Sequence, residues 1–154
     1  MDVKTKLSEI VGTRHVSDDP EVLERYAADF SYTAPGAPGF LVKPSDAGEV
    51  SGVLSFCNEH RIPVVPVSSK VHFYGATVPK EGGVVLDLAR MNRILEIDPD
   101  NRRVRFEAGV TWDKLTQALK KKGFRVIMPL TPPAERSVLT DFMEREEPTN
   151  QVYD

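Results

Sequence analysis

Ser68, Ser69, Gly75 and Thr77 fall in one short stretch between two apolar runs, IPVVPV at residues 62–67 and VVLDL at residues 84–88. Hydroxyls and unhindered backbone amides in such a stretch can converge on one centre, and that arrangement holds an oxyanion such as a phosphate without a cluster of cations. The same spacing also fits an ordinary surface loop turned by a glycine, so both readings stand at this point. No acid, base and nucleophile set converges elsewhere. His15, His60 and Tyr74 are proton-transfer candidates by residue type alone, and His60, beside Arg61 at an expected helix end, is accounted for by the helix dipole. The single cysteine, Cys57, excludes an internal disulfide and argues against a cysteine-based zinc site.

The elements that must position this stretch are legible from periodicity. The two apolar runs carry almost no charge before Asp87, the pattern of parallel strands covered on both faces. Val3, Leu7, Ile10 and Val11 recur at helical spacing and Gly12 stops them, predicting a helix over residues 3–11. Ser17, Asp18 and Asp19 before Pro20 predict a second helix start, with Val22, Leu23, Tyr26 and Ala27 on its apolar face. After the Pro- and Gly-rich residues 31–39, residues 40–43 read as a first strand. Pro44 and Ser45 then cap a helix carrying Val50, Val53, Leu54 and Cys57 at i, i+3, i+4, i+7. With the strand at Ile62 this makes a right-handed βαβ unit.

Residues 95–97 and 103–110 flank Asp98, Pro99, Asp100 and Asn101, predicting a hairpin whose second arm alternates Val104, Phe106 and Ala108 with Arg103, Arg105 and Glu107. Thr111 caps a helix with Trp112, Leu115 and Leu119 on its buried side, closed by Lys120, Lys121, Lys122 and Gly123. Residues 124–128 read as a short strand, Pro129, Pro132 and Pro133 as an extended loop, and Ser137 as the cap of a last helix through Glu144, followed by a polar tail. The expected fold class is α+β: a small parallel βαβ sheet with flanking helices plus a hairpin. The expected divisions are residues 1–39 (N-terminal helices and loop), 40–128 (the subdomain of the βαβ unit and hairpin) and 129–154 (loop, short helix and tail).

At 154 residues and 40% hydrophobic content the chain can build one real core. Its 20 basic and 23 acidic residues, net charge −3, create no field favouring nucleic acid or an anionic membrane. No apolar run approaches the ~18 residues that span a bilayer, and residues 1–10 are charged where a signal peptide needs an apolar stretch. A cytoplasmic protein is expected.

The loop, the run GGVVLDLARMNRILEI at residues 82–97 and FEAGVTWDKLTQAL at residues 106–119 closely resemble the FAD-binding domain (PCMH-type) of the vanillyl-alcohol oxidase and p-cresol methylhydroxylase flavoproteins, a group that includes glycolate oxidase flavin subunits and D-lactate dehydrogenases. The resemblance covers residues 21–128, and neither GxGxxG nor GxxxxGK[ST] is present. It implies that a loop of the type PRGGGTSxxGGxxP wraps the FAD diphosphate with backbone amides, and it maps cofactor contacts onto Pro66, Val67, Ser68, Ser69, Lys70, Val71, His72, Gly75 and Ala76. Pro66, Gly75 and Pro79 keep the register. Ser68 and Lys70 stand where glycines are usual, and Val71 stands where some relatives carry a flavin-linking histidine, so non-covalent FAD is implied. Lys70 has two readings: a residue that strains a glycine position, or an ammonium that neutralises the diphosphate. A second stretch of the family places Thr131 and Ser137 near the cofactor, as phosphate or ribityl contacts or simply as caps.

The resemblance further implies the N-terminal, FAD-binding portion of an oxidoreductase that oxidises a small organic substrate by hydride transfer to flavin N5. On that resemblance the chain is expected to lack the second subdomain and the cap domain, with a partner polypeptide or a homo-oligomer expected to cover an exposed docking face. The alternative is a noncatalytic interaction module on a degenerate flavin fold. No nucleic-acid partner, membrane span or metal is expected.

Overall fold

The computed structural model describes residues 2–126 and 133–145. Helix α1 (Val3–Val11) starts at Asp2, whose carboxylate accepts the Thr5 N–H, and stops at Gly12 with φ +87°. A two-residue strand β1 (Val16–Ser17) leads to α2 (Pro20–Glu24), capped by Asp19 with proline in the first turn as the sequence predicts. Then follow β2 (Phe40–Val42), α3 (Ala47–Glu59), β3 (Val64–Val67) and β4 (Val84–Asp87). The four strands form one sheet in the order β1-β2-β4-β3, with β1 antiparallel to β2 and the other pairs parallel.

Two local expectations are corrected. The α3 cap is Asp46, not Ser45: the Asp46 carboxylate accepts the Glu49 N–H at 3.0 Å, while the Glu49 carboxylate reaches back to accept the N–H of Ser45, the residue before the cap, at 2.6 Å. Strand β3 is an edge strand with Pro66 exposed, not a strand covered on both faces; proline has no N–H to give a further neighbour, and an edge is where a sheet tolerates it. The run at β4 does behave as a fully covered strand, with all four residues buried.

Alternation along β4 divides the core. Val84 and Leu86 face α1 and α3 and pack with Leu7, Val11, Val42, Val53, Phe56 and Cys57. Val85 faces the other way, with Leu23, Tyr26, Leu41 and Val67. Asp87, two residues on, lies on that second face and is only 5% exposed, where the Tyr26 hydroxyl donates to it at 2.8 Å and the Ala89 N–H at 2.9 Å. Burial first, and then the bond to Asp87, push the Tyr26 phenol far above its ordinary pKa, so it remains a donor. At the start of β4, Gly83 has φ +78°, and a Cβ there would overlap the Pro63 carbonyl oxygen.

The second half makes a separate core. The hairpin of β5 (Ile94–Asp98) and β6 (Arg103–Phe106) and helix α4 (Trp112–Lys121) enclose Val110, Trp112, Leu115 and Leu119 together with Val138 of helix α5 (Val138–Arg145). Residues 124–126 are irregular and Phe124 is exposed, which corrects the strand expected there; residues 127 and 128 of that expectation lie outside the described residues. The fold is mixed α+β, as predicted, with the hairpin forming its own two-stranded sheet.

Replacing Tyr26 by Phe leaves a buried carboxylate short of one donor. Urea unfolding should show Tyr26→Phe less stable by about 1–3 kcal/mol; equal midpoints for the two proteins would rule out this role for the hydroxyl.

Candidate functional site

The stretch singled out in the sequence leaves the carboxyl end of β3, beside the end of β4, where the register pairs Val67 with Asp87. Carboxyl ends of parallel strands are the usual ligand edge of such sheets. Ser68, Ser69 and His72 turn inward and are buried; Lys70, Phe73, Tyr74 and Ala76 are exposed, and Val71 and Gly75 are half-buried.

One side of the loop is tied to residues 29–33. The Asp29 carboxylate accepts the Gly75 N–H at 2.8 Å and the Ser31 N–H at 2.9 Å, and the Phe30 N–H donates to the His72 carbonyl at 2.9 Å. Partial burial opposes ionisation of Asp29, yet the bonds from Ser31 and Gly75 outweigh it and hold the carboxyl below its ordinary value. Gly75 has φ +75°, and a Cβ would overlap Thr33 Oγ1, so only glycine allows this closure.

The other side is tied to α5. Ser68 Oγ lies 2.6 Å from Ser137 Oγ and 2.7 Å from Thr140 Oγ1, which are themselves 2.7 Å apart, closing a triangle of hydroxyls. Ser137 also accepts the Thr140 N–H at 3.1 Å, a bond of the cap type expected for it. His72 Nε2 lies 2.7 Å from the Ser69 carbonyl oxygen and Nδ1 3.3 Å from Glu144 Oε1. Arg136, wholly buried, pairs with Asp141 at 2.8 Å and with Glu144, and its guanidinium lies 4.9 Å from the centroid of the Phe73 ring.

The structure thus brings together Ser68, Ser69, Lys70, Val71, His72 and Ser137; Thr131 lies outside the described residues. Pro66 is exposed at the strand end, and Val67 is buried beneath the loop. His60 closes α3 with Nδ1 3.0 Å from the Phe56 carbonyl, and His15 sits beside Arg14; neither reaches the loop by any recorded bond. Sequence reasoning missed Arg136, Thr140, Asp141 and Glu144. The helical spacing of Thr140, Asp141 and Glu144 from Ser137 was the available signal for those three, since positions three and four apart share a face, whereas Arg136, next to Ser137 in sequence, had none. Asp29 carried no such signal, its partner Gly75 being distant in sequence.

The fit to an oxyanion rests on what remains unpaired. Among the described residues, the backbone N–H groups of residues 69–74 have no recorded acceptor, and Ser69 Oγ is buried without a partner. Ser68 and Ser137 spend their hydroxyls on each other. The loop therefore fits an anion through main-chain amides. Lys70 lies outside the positive-φ region, which among the described non-glycine residues holds Arg61 and Arg102, so the strain expected of a lysine in a glycine position does not arise. Its ammonium sits 5.7 Å from the Tyr26 ring centroid. No group of three or more His, Cys, Asp or Glu side chains able to hold a metal exists among the described residues, and no described helix is long and apolar enough to cross a membrane.

Residues 38–134 match the family described as FAD binding domain. The glycolate oxidase subunit GlcD of Bacillus subtilis (strain 168) is 34% identical over 122 residues, covering 79% of this chain and 26% of that protein. The flavoprotein subunit of 4-cresol dehydrogenase (hydroxylating) from Pseudomonas putida is 34% identical over 100 residues, covering 64% of this chain and 19% of that protein. The crystal structure of p-cresol methylhydroxylase with substrate bound superposes with a TM-score of 0.80 at 26% identity, covering 92% of this chain and 28% of that one. The chain spans about a quarter of the length of the curated relatives it matches.

Because the Asp29 pKa is depressed in the folded state, the stabilisation it gives is present above its unfolded value and lost as pH falls through its folded value. The stability difference between the protein and Asp29→Asn, followed by urea unfolding, should be largest above about pH 5 and shrink toward about pH 2. A difference that grows on acidification would contradict this anchoring.

Proposed function

The chain belongs to the FAD-binding domain family matched over residues 38–134, and from that membership we propose that it holds the diphosphate of non-covalent FAD as part of an FAD-linked oxidoreductase acting on a small organic substrate. The observation that carries this reading is the run of unpaired amides at residues 69–74, with the orphan Ser69 hydroxyl beside it, at the carboxyl end of parallel strands. Ser69, Lys70 and Val71 would hold the diphosphate by main-chain N–H groups, and Gly75, fastened to Asp29, would keep the loop closed around it. When bound, FAD supplies the hydride acceptor, its N5. The protein's share here is to bind and orient. No side chain of this chain is assigned as an acid or base toward substrate.

The same geometry supports the reading of non-covalent attachment. Val71 offers no nucleophile, and both ring nitrogens of His72 face protein oxygens.

A partner polypeptide, or the rest of such an oxidoreductase, would complete the site. Helix α5 turns its polar residues inward and leaves Leu139, Phe142 and Met143 exposed at helical spacing, and Phe30, Tyr32 and Tyr74 are exposed around the loop. We take residues 40–128 as the FAD-binding subdomain, residues 1–39 as its N-terminal flank and residues 129–154 as the start of the completing part.

The second reading is a noncatalytic interaction module, and the hydroxyl triangle of Ser68, Ser137 and Thr140 favours it, since it satisfies loop groups without a ligand.

Calorimetric titration decides between them. FAD and ADP, which share the diphosphate, should both give saturable heat, and FAD-loaded protein should show the flavin absorption bands and a raised melting temperature. A colourless protein that gives no heat at saturating FAD would leave the interaction module as the better reading.

A further inference from the structure

We propose that His72 is a positioning residue for the diphosphate, acting through the Ser69 carbonyl it holds and not as a ligand of the flavin; this rests on the FAD reading above. His72 is 6% exposed, and its Nε2 lies 2.7 Å from the Ser69 carbonyl oxygen. A carbonyl only accepts, so Nε2 carries the hydrogen, an assignment made from the bonding pattern. Among the described residues there is no cis peptide bond, and in a planar trans peptide the carbonyl and the following N–H point to opposite sides. Drawing the Ser69 oxygen toward the imidazole therefore aims the Lys70 N–H away from it. Lys70 is exposed and its N–H has no acceptor among the described residues, so the amide is presented on the open side of the loop.

The ring itself has little freedom to turn. Nδ1 faces Glu144 Oε1 at 3.3 Å, Glu144 is paired with the buried Arg136, and the His72 carbonyl accepts the Phe30 N–H at 2.9 Å. A contact between the imidazole and the cofactor would break one of these bonds, whereas the indirect role uses all of them. The chain of contacts from Arg136 through Glu144 and His72 to the Ser69 peptide sets the direction of one amide from the far side of α5.

Two substitutions separate this role from a purely structural one. In His72→Gln the side-chain amide nitrogen lies as many bonds from Cγ as Nε2 does, so it keeps the Ser69 contact and gives up Glu144. In His72→Asn it takes the place of Nδ1, with the reverse effect. Titrations of the full chain with FAD and with ADP should find His72→Gln within about threefold of the parent and His72→Asn weaker by about tenfold or more for both ligands. Asparagine binding as well as the parent, or glutamine failing while asparagine succeeds, overturns the proposal.

A ligand-free measurement covers the case in which a variant does not fold or nothing binds. In isotope-labelled parent protein, a coupling across the hydrogen bond should link His72 Nε2 to the Ser69 carbonyl carbon. That carbon's chemical shift should be kept in His72→Gln and moved in His72→Asn. Absence of the coupling in the parent, or an unmoved signal in His72→Asn, overturns the positioning role. Failure of the parent to bind either ligand while the coupling is present refutes the flavin reading instead.

Discussion

A polar loop buried between two apolar cores must have its donors and acceptors satisfied, and this requirement organises the molecule around residues 68–75. Water is largely excluded from Ser68, Ser69 and His72, and an unpaired buried polar group costs about 1–3 kcal/mol. The loop meets the requirement unequally. Three of its inward oxygens are matched, Ser68 Oγ by Ser137 and Thr140, the Ser69 carbonyl by His72, and the His72 carbonyl by Phe30, while Ser69 Oγ is buried without a partner. The Gly75 amide is held by Asp29, and the amides of residues 69–74 are not matched by any described residue. Spare amides of this kind are what the proposed anion site draws on.

Helix α5 is what makes this imbalance possible. An ordinary surface helix buries its apolar face, but α5 buries Ser137-anchored Thr140, Asp141 and Glu144 and leaves Leu139, Phe142 and Met143 outside. Val138, joined to the Val110 carbonyl by its N–H and buried with Trp112 and Leu115, is the single apolar peg by which the helix enters the second core. The rest is electrostatic. Arg136 is completely buried between two carboxylates, and removing one member of such a set typically destabilises by about 3–5 kcal/mol because a charge is left without a partner. The geometry of the loop is thus tied to a cluster that cannot be taken apart piecemeal.

The elements legible in the sequence are those whose cause is local. Asp19 before Pro20, Gly12 at +87° and Thr111 before Trp112 act within a turn of where they stand, and the apolar run Val84 to Leu86 of β4 reports burial on both faces. The edge position of β3 was signalled by Pro66, but an edge is a property of the strand's neighbours, and the run of valines around the proline read as an interior strand. The shift of the α3 cap from Ser45 to Asp46 came from a competition between adjacent capping residues that only the Glu49 partner resolves. The stretch at residues 124–126 has strand composition without a strand to pair with among the described residues. At the site, the loop hydroxyls were visible as residues. Their expenditure on Ser137 and Thr140, and the clasp of Gly75 by Asp29, were not, because those contacts join parts of the chain that no local pattern relates.

The substitution of Ser68 and Lys70 for glycines takes a different meaning once the backbone is known. A glycine in a phosphate loop is indispensable where φ is positive or where a Cβ would strike the ligand. Lys70 meets neither objection on backbone grounds, since its φ is not positive and its side chain extends outward toward the Tyr26 ring. Ser68 turns its hydroxyl toward Ser137 and Thr140 at α5. Gly75 is the position where the constraint is real, with both a positive φ and a neighbour in the way. Recognition by main-chain amides needs the path of the chain to be right and is indifferent to most side chains along it. The loop departs from the family pattern at Ser68 and Lys70 and still leaves the amides of residues 69–74 without acceptors among the described residues.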